Sequence, residues 1–329
     1  AASRGEYLNG IIMAAYLGYE FIDAAEVIVF DENGNFDGDK THEILSARLE
    51  NTERAVIPGF YGAKPDGSIQ TFSRGGSDIT GSIVANAVNA EEYENFTDVN
   101  GIFAAHPGII KHPHSIPELT YKEMRELAYA GFSVLHDEAL VPAYRGKIPL
   151  VIKNTNNPDH PGTRIVLEHS NDHVTVVGIA GDSGFVSINM TKYLMNREVG
   201  FGRKVLQVLE DLNISWEHMP TGIDDLSIIL RSRELTPIKE QEILKQLTQK
   251  LEVDTAEIEH DLSIIMIVGE KMKSQVGVTA TAAKALSENE VNIQMISQGS
   301  SEVSIMFVVS KNQEEKAIKA LYNAFFSNN

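Results

Sequence analysis

Cysteine is absent from all 329 residues, which excludes a disulfide framework and every thiolate metal site and suits a reducing compartment. Positive charge is scarce. The chain has 28 Lys and Arg against 46 Asp and Glu, a net charge of −18, and no basic stripe interrupts the pattern. Such a chain repels nucleic acid and anionic lipid, so neither is expected as a partner. Long hydrophobic runs are missing too. Apolar stretches such as residues 264–268 are far too short to span a bilayer, and no basic-then-apolar signal opens the chain. These absences point to the cytoplasm. There is also no initiator Met: Ala1-Ala2-Ser3-Arg4-Gly5-Glu6 runs straight into a helix-like stretch over 7–17. It reads as an interior start, and sequence is expected to be missing on the N-terminal side.

What is present is a globular composition, 43% apolar and 22% charged, long enough for two or three domains with separate cores. Residues 71–85 stand out. Thr71-Phe72 ends a short strand, Ser73-Arg74-Gly75-Gly76-Ser77-Asp78 forms a polar turn, and Ile79, Ile83, Val84 and Ala87 mark the buried face of a helix. Glycines let backbone approach a ligand, helix-start N–H groups donate to an anion, and a guanidinium grips a carboxylate with two bonds. By itself the stretch also fits a well-capped helix start with no ligand.

Along the rest of the chain, helix and strand signals alternate. Residues 93–99 predict a strand with Thr97-Asp98 at its C-terminal end, where open α/β sheets place ligand contacts. His106, His112 and His114 sit in a proline-rich loop without a carboxylate at ligand spacing, so no protein metal site is expected. Thr120-Tyr121-Lys122-Glu123 matches a capping box. An Asn- and Pro-rich stretch over 154–162 closes the first part near Arg164. Beyond it, strand-like segments at 174–179, 185–190, 226–230, 262–268 and 303–309 alternate with amphipathic helices at 202–212, 238–250, 276–288 and 313–325. Phe201-Gly202 to Asn213-Ile214 and Val276-Gly277 to Asn292-Ile293 echo each other, which reads as two split βαβ modules of the ferredoxin-like kind.

The Phe-Ser-Arg-Gly-Gly-Ser-Asp core at 72–78 resembles the signature loop of aspartate kinases. Ser3-Arg4-Gly5-Glu6, Thr97-Asp98-Val99 and the Asn157-Pro158 to Pro161-Gly162-Thr163 junction agree with it in order, and the two tail modules resemble paired ACT domains. The resemblance implies a three-layer αβα amino acid kinase domain at 1–165, incomplete at its N-terminus. A first βαββαβ ACT module follows at 184–254, and a second is built from 172–183 and 255–329. It implies transfer of the γ-phosphoryl of ATP, carried with Mg2+, to the side-chain carboxylate of L-aspartate. In that reading Arg74 grips a carboxylate of aspartate, Glu6 and Asp78 face its ammonium, and Ser77 donates to substrate or phosphate oxygens. Thr97, Asp98 and Phe103 lie on the nucleotide side.

Departures from the family pattern are also visible. Phe103-Ala104-Ala105-His106-Pro107-Gly108 stands where many members carry Tyr-Thr-Thr-Asp-Pro-Arg, and Ser133 where many carry a Lys; Lys111 and Lys153 are the candidate substitutes. The family's Lys-Phe/Tyr-Gly-Gly-Ser/Thr-Ser motif is not in the sequence, so the chain as given is expected not to turn over. The competing reading is a non-catalytic amino-acid sensor with a degenerate kinase scaffold. Paired ACT modules further imply a homo-oligomer and an effector, lysine, threonine or both, with Gly200, Phe201, Ser215, Trp216 and Glu217 as the candidate contacts. Against that, Ser215 and Glu217 read as plain exposed strand positions alternating with buried Ile214 and Trp216.

Overall fold

The computed structural model describes residues 2–73, 75–132, 134, 135, 137–170 and 174–327. The chain divides into two compact units: Ala1–Pro107, Lys111–Gly178 and Gly269–Lys271 form unit 1, and Gly108–Ile110, Ile179–Val268 and Met272–Asn329 form unit 2.

Unit 1 opens with α1 (Arg4–Leu17), β1 (Glu20–Phe21), α2 (Ala24–Val27), α3 (Gly38–Leu49) and β2 (Ala55–Val56). Next come β3 (Tyr61–Ala63), β4 (Ile69–Thr71), α4 (Gly76–Ala87), β5 (Tyr93–Thr97), β6 (Ile102–Phe103), β7 (Ser115–Ile116) and β8 (Glu118–Thr120). It closes with α5 (Tyr121–Tyr129), α6 (Asp137–Gly146), β9 (Leu150–Asn154) and β10 (Thr163–Val166). Its main sheet has the order β5-β9-β10-β8. β5 runs parallel to β9 and β8 to β10, while β9 and β10 are antiparallel.

Local chemistry explains several of these elements. Both halves of the capping box form at α5: the Thr120 hydroxyl accepts from the Glu123 N–H, and the Glu123 carboxylate accepts from the Thr120 N–H. Glu123 is fully buried, and its other oxygen accepts the Glu270 N–H at 2.8 Å. Pro142 lies inside α6 and interrupts its ladder; the Ala143 N–H turns instead to Ser82 Oγ of α4 at 2.8 Å. α1 spreads its apolar residues around the helix and buries only Gly10 and Ala14, leaving Leu8, Ile12 and Tyr16 exposed.

Unit 2 contains β11 (Gly178–Thr191), α7 (Phe201–Asp211), β12 (Asp225–Arg231), α8 (Pro237–Gln249) and β13 (Thr255–Val268). α9 (Val278–Glu288), β14 (Met295–Gln298), β15 (Ser304–Ser310) and α10 (Glu314–Phe326) complete it. The five strands make one sheet in the order β12-β11-β13-β15-β14. The pairs β11–β12, β13–β15 and β14–β15 are antiparallel. One core cluster joins Val186, Ile188, Phe201, Val205, Ile228 and Ile243 of the first half. Each such side chain contributes about 1.5–3 kcal/mol on leaving water.

The structure differs from the sequence expectation at residues 174–190, where two strands were expected and one continuous 14-residue strand is found. Gly181 is not a break there. A Cβ at this position would stand 2.7 Å from Ile318 Cδ1, so its missing side chain makes room for α10.

Candidate functional site

The polar turn before α4 is held from three sides. Phe60 has φ +82°, a left-handed conformation that costs a bulky residue on the order of 1–3 kcal/mol. Two hydrogen bonds keep it there: its N–H donates to Thr80 Oγ1 at 3.1 Å, and its carbonyl accepts from the Phe72 N–H at 3.0 Å. Thr80 in turn donates to the Gly76 carbonyl at 2.7 Å. Backbones approach closely here, for a Cβ on Gly76 would lie 2.9 Å from Phe60 Cα and one on Gly59 2.9 Å from Ser77 Cα.

This packing presents Ser77 exposed and Asp78 half-buried in the first turn of α4, where N–H groups lack helical partners and negative charge is favoured. One Asp78 oxygen, Oδ1, accepts from Asn95 Nδ2 at 2.9 Å. The Asn95 amide also reaches the Tyr93 hydroxyl at 2.9 Å, and that hydroxyl donates to the Asp78 carbonyl at 3.2 Å. Burial pushes the Tyr93 phenol up to about 12, with the Asn95 hydrogen bond opposing the shift and the Asp78 charge adding to it. Tyr93, Asn95 and Thr97 share one face of β5 because strand side chains alternate. The sequence reading missed Phe60, Tyr93 and Asn95. Polar residues two apart, just before Thr97-Asp98, were the only available signal for the last two.

Thr97 ends β5, and its carbonyl accepts from the Thr155 N–H at 2.8 Å. Asp98 is exposed beside it, 3.3 Å from the Thr97 hydroxyl. The loops after β5 and β9 are tied together by Asn100, whose Oδ1 accepts from Asn154 at 2.7 Å and from Asn157 at 3.3 Å. Phe103 is half-buried opposite Ser115 in the β6–β7 pair. Thr163, fully buried, clamps that pair: its Oγ1 accepts from the Ile102 N–H at 2.8 Å and donates to the Ile116 carbonyl at 2.6 Å. Of the two candidate cations, Lys153 pairs with Glu94 at 3.1 Å and lies over the Phe96 ring, while Lys111 is exposed. Glu6 is exposed in the first turn of α1, with no ion pair among the described residues. Its neighbour Arg4 stacks on Tyr7 and Tyr61. Arg74 and Ser133 lie outside the described residues.

In unit 2 the five effector candidates fall into two groups. Gly200 and buried Phe201 start α7; Ser215, Trp216 and Glu217 follow its other end. An 11-residue helix separates them by roughly 16 Å at 1.5 Å per residue. Trp216 is not buried as plain strand alternation has it. It is 45% exposed and lines a recess with Leu206, Glu210 and Asn213, because the segment after Ile214 leaves the core before it pairs with β12. The Glu217 carboxylate is engaged by Arg231 at 3.3 Å, and Arg231 also bonds Asp182 and stacks on Phe185.

Fold and site together define a class: an amino acid kinase domain followed by an ACT regulatory part. The amino acid kinase family pattern matches residues 1–154 and the ACT domain pattern residues 265–325. Aspartokinase 3 of Bacillus subtilis (strain 168) is 50% identical over 333 residues, covering 99% of this chain and 73% of its own length. The crystal structure of Clostridium acetobutylicum aspartate kinase superposes with a TM-score of 0.92 at 46% identity, over 98% of this chain and 75% of that one. E. coli aspartokinase III in complex with lysine and aspartate (T-state) matches with a TM-score of 0.77 at 25% identity, over 98% and 74%. The chain belongs to the aspartokinase family. It is therefore a kinase, a phosphotransferase with an ACT regulatory part.

Proposed function

We propose that the chain binds L-aspartate at the start of α4 and serves ATP-dependent phosphorylation of its side-chain carboxylate to 4-phospho-L-aspartate, in the cytoplasm. The observation that carries this reading is the Asp78–Asn95 pair. Asn95 holds one Asp78 oxygen and fixes the carboxylate, leaving the other oxygen to meet an ammonium group. Ser77 stands exposed beside it, with helix-start N–H groups for an anionic oxygen. Arg74 supplies the bidentate grip on the substrate carboxylate, and Glu6 a second anion toward the ammonium.

Phosphoryl transfer of this kind needs aligned reactants and charge stabilisation rather than covalent help from the protein. Thr97 and Asp98, at the C-terminal end of β5, take the nucleotide side, with Phe103 against the base or sugar. ATP enters with Mg2+ as the phosphoryl donor.

Residues 1–165 form the kinase part, and 172–329 the two ACT modules. Lysine, threonine or both are the effectors, in keeping with the lysine and aspartate bound by E. coli aspartokinase III. Because Gly200-Phe201 and Ser215-Trp216 lie at opposite ends of α7, an effector pocket using both is completed by a second copy of the chain.

Calorimetric titration with L-aspartate tests the substrate reading. Asp78→Asn is expected to weaken binding by roughly 10- to 100-fold, the loss of a charge-assisted contact. Unchanged aspartate binding by this variant would sink the assignment.

A further inference from the structure

The other face of α4 lines a recess that the reading above does not use. Asp78 and Gly81 face β5, whereas Ile79, Ile83 and Asn86 turn toward α3 and α6. Between these three helices lies a cleft of ≈ 800 Å3, within the usual range for small-molecule sites. Its floor is apolar and partly aromatic, formed by Phe36, Phe72, Ile79 and Ile83, with the exposed Val141 at its edge. The Phe36 and Phe72 rings lie 5.6 Å apart and tilted. Its rim is polar, formed by Asp39, His42, Glu138 and Arg145.

Two observations mark this as a built site rather than a gap between helices. The walls are tied: the Ser46 hydroxyl of α3 donates to the Ala87 carbonyl of α4 at 2.8 Å, and the Ala143 N–H of α6 donates to Ser82 Oγ at 2.8 Å, so the cleft is held open without a ligand. The rim charges are also unspent. Among the described residues no ion pair or side-chain hydrogen bond engages Asp39, His42, Glu138 or Arg145.

We infer that this cleft binds a small zwitterion with an aromatic body, an aromatic α-amino acid in the simplest case. The floor accepts the ring, with Phe36 and Phe72 offering tilted aromatic contacts. The Arg145 guanidinium meets the carboxylate, and Asp39 or Glu138 meets the ammonium. One cation and two anions around an apolar floor match a zwitterion better than a simple acid or amine. Phe72 ends the segment before residues 73–78, and Ile79 is the first apolar residue after it. A bound molecule therefore touches both ends of the turn that presents Ser77 and Asp78, and it biases that turn by its differential affinity for the turn's arrangements. Only this last consequence rests on the aspartate reading.

The test is calorimetry on the intact chain with L-phenylalanine, phenylacetate and phenethylamine. Phenylalanine is expected to bind with a dissociation constant on the order of 1 mM or tighter, and each truncated analogue more weakly. Arg145→Gln, at an exposed position without a partner among the described residues, should weaken phenylalanine and phenylacetate by about tenfold and leave phenethylamine unchanged. Val141→Glu should weaken all three. No saturable binding of phenylalanine, or equal binding by the parent chain and both variants, overturns the proposal. Aspartate titrations with and without phenylalanine read the coupling separately, so failure of the aspartate reading leaves the calorimetric result standing.

Discussion

A single amide decides how the proposed substrate site is set. Asn95 spends its NH2 group on Asp78 and Tyr93 together, so one residue orients the carboxylate and also donates to a half-buried phenol. Asn95→Leu takes the amide donor from the Asp78 carboxylate and leaves the Tyr93 hydroxyl with its bond to the Asp78 carbonyl, and a fall in aspartate affinity of about tenfold is expected by calorimetry. Tyr93 has a signature of its own in alkali. Its folded pKa, about 12, lies above the ordinary phenol value near 10. The unfolded chain therefore loses this proton first as pH rises. The folded state keeps its full stability below about pH 10 and loses Tyr93's share as pH climbs toward about 12. Thermal melts across that window should fall less steeply for Tyr93→Phe than for the parent chain; parallel slopes would show that Tyr93 does not carry the effect.

At the scale of elements, short strands are held by side chains rather than by length. β6 and β7 have two residues each, and the buried Thr163 hydroxyl joins them to β10. Thr163→Val keeps the shape and strands an N–H and a carbonyl in the interior. Chemical denaturation should show a loss of about 1–3 kcal/mol. The strand-like return after α7 behaves differently. His218 pairs with Ile229 at the edge of the sheet, and burial holds its imidazole below the ordinary histidine value. The unfolded chain thus takes up the proton first on acidification. Stability from His218 is complete above the ordinary value of about 6.5 and declines as pH falls below it. His218→Gln should flatten the acid limb of the unfolding midpoint below the ordinary histidine value of about 6.5. A limb of unchanged slope would assign the acid sensitivity elsewhere.

For the molecule as a whole, the question is whether an amino acid binds unit 2. Titration with lysine and with threonine should give saturable heat for at least one of them. Glu217→Ala should alter that binding and also destabilise unit 2, since Arg231 is left with Asp182 alone as its carboxylate. Silence with both amino acids at millimolar concentration would remove the effector reading while leaving the kinase half untouched.

Much of this architecture follows from local sequence. The α5 capping box, the start of α4 at the Gly75-Gly76 pair, the helices of unit 2 within one or two residues and the placement of Thr97-Asp98 at a strand end all depend on contacts a few residues apart, which periodicity and capping chemistry specify. Other features required the tertiary structure. Asn95 reaches Asp78 across 17 residues, and Phe60 takes a left-handed conformation because Thr80 and Phe72 hold it there. Trp216 emerges into solvent where alternation predicted burial. The cleft between α3, α4 and α6 is framed by three helices drawn from distant parts of the chain and tied through Ser46 and Ser82. Hydrogen bonds between residues far apart in sequence depend on how elements pack, and no local pattern encodes that packing. The start of α4 was legible as a polar turn aimed by a helix; the contacts that β5 makes with it were decided by the fold.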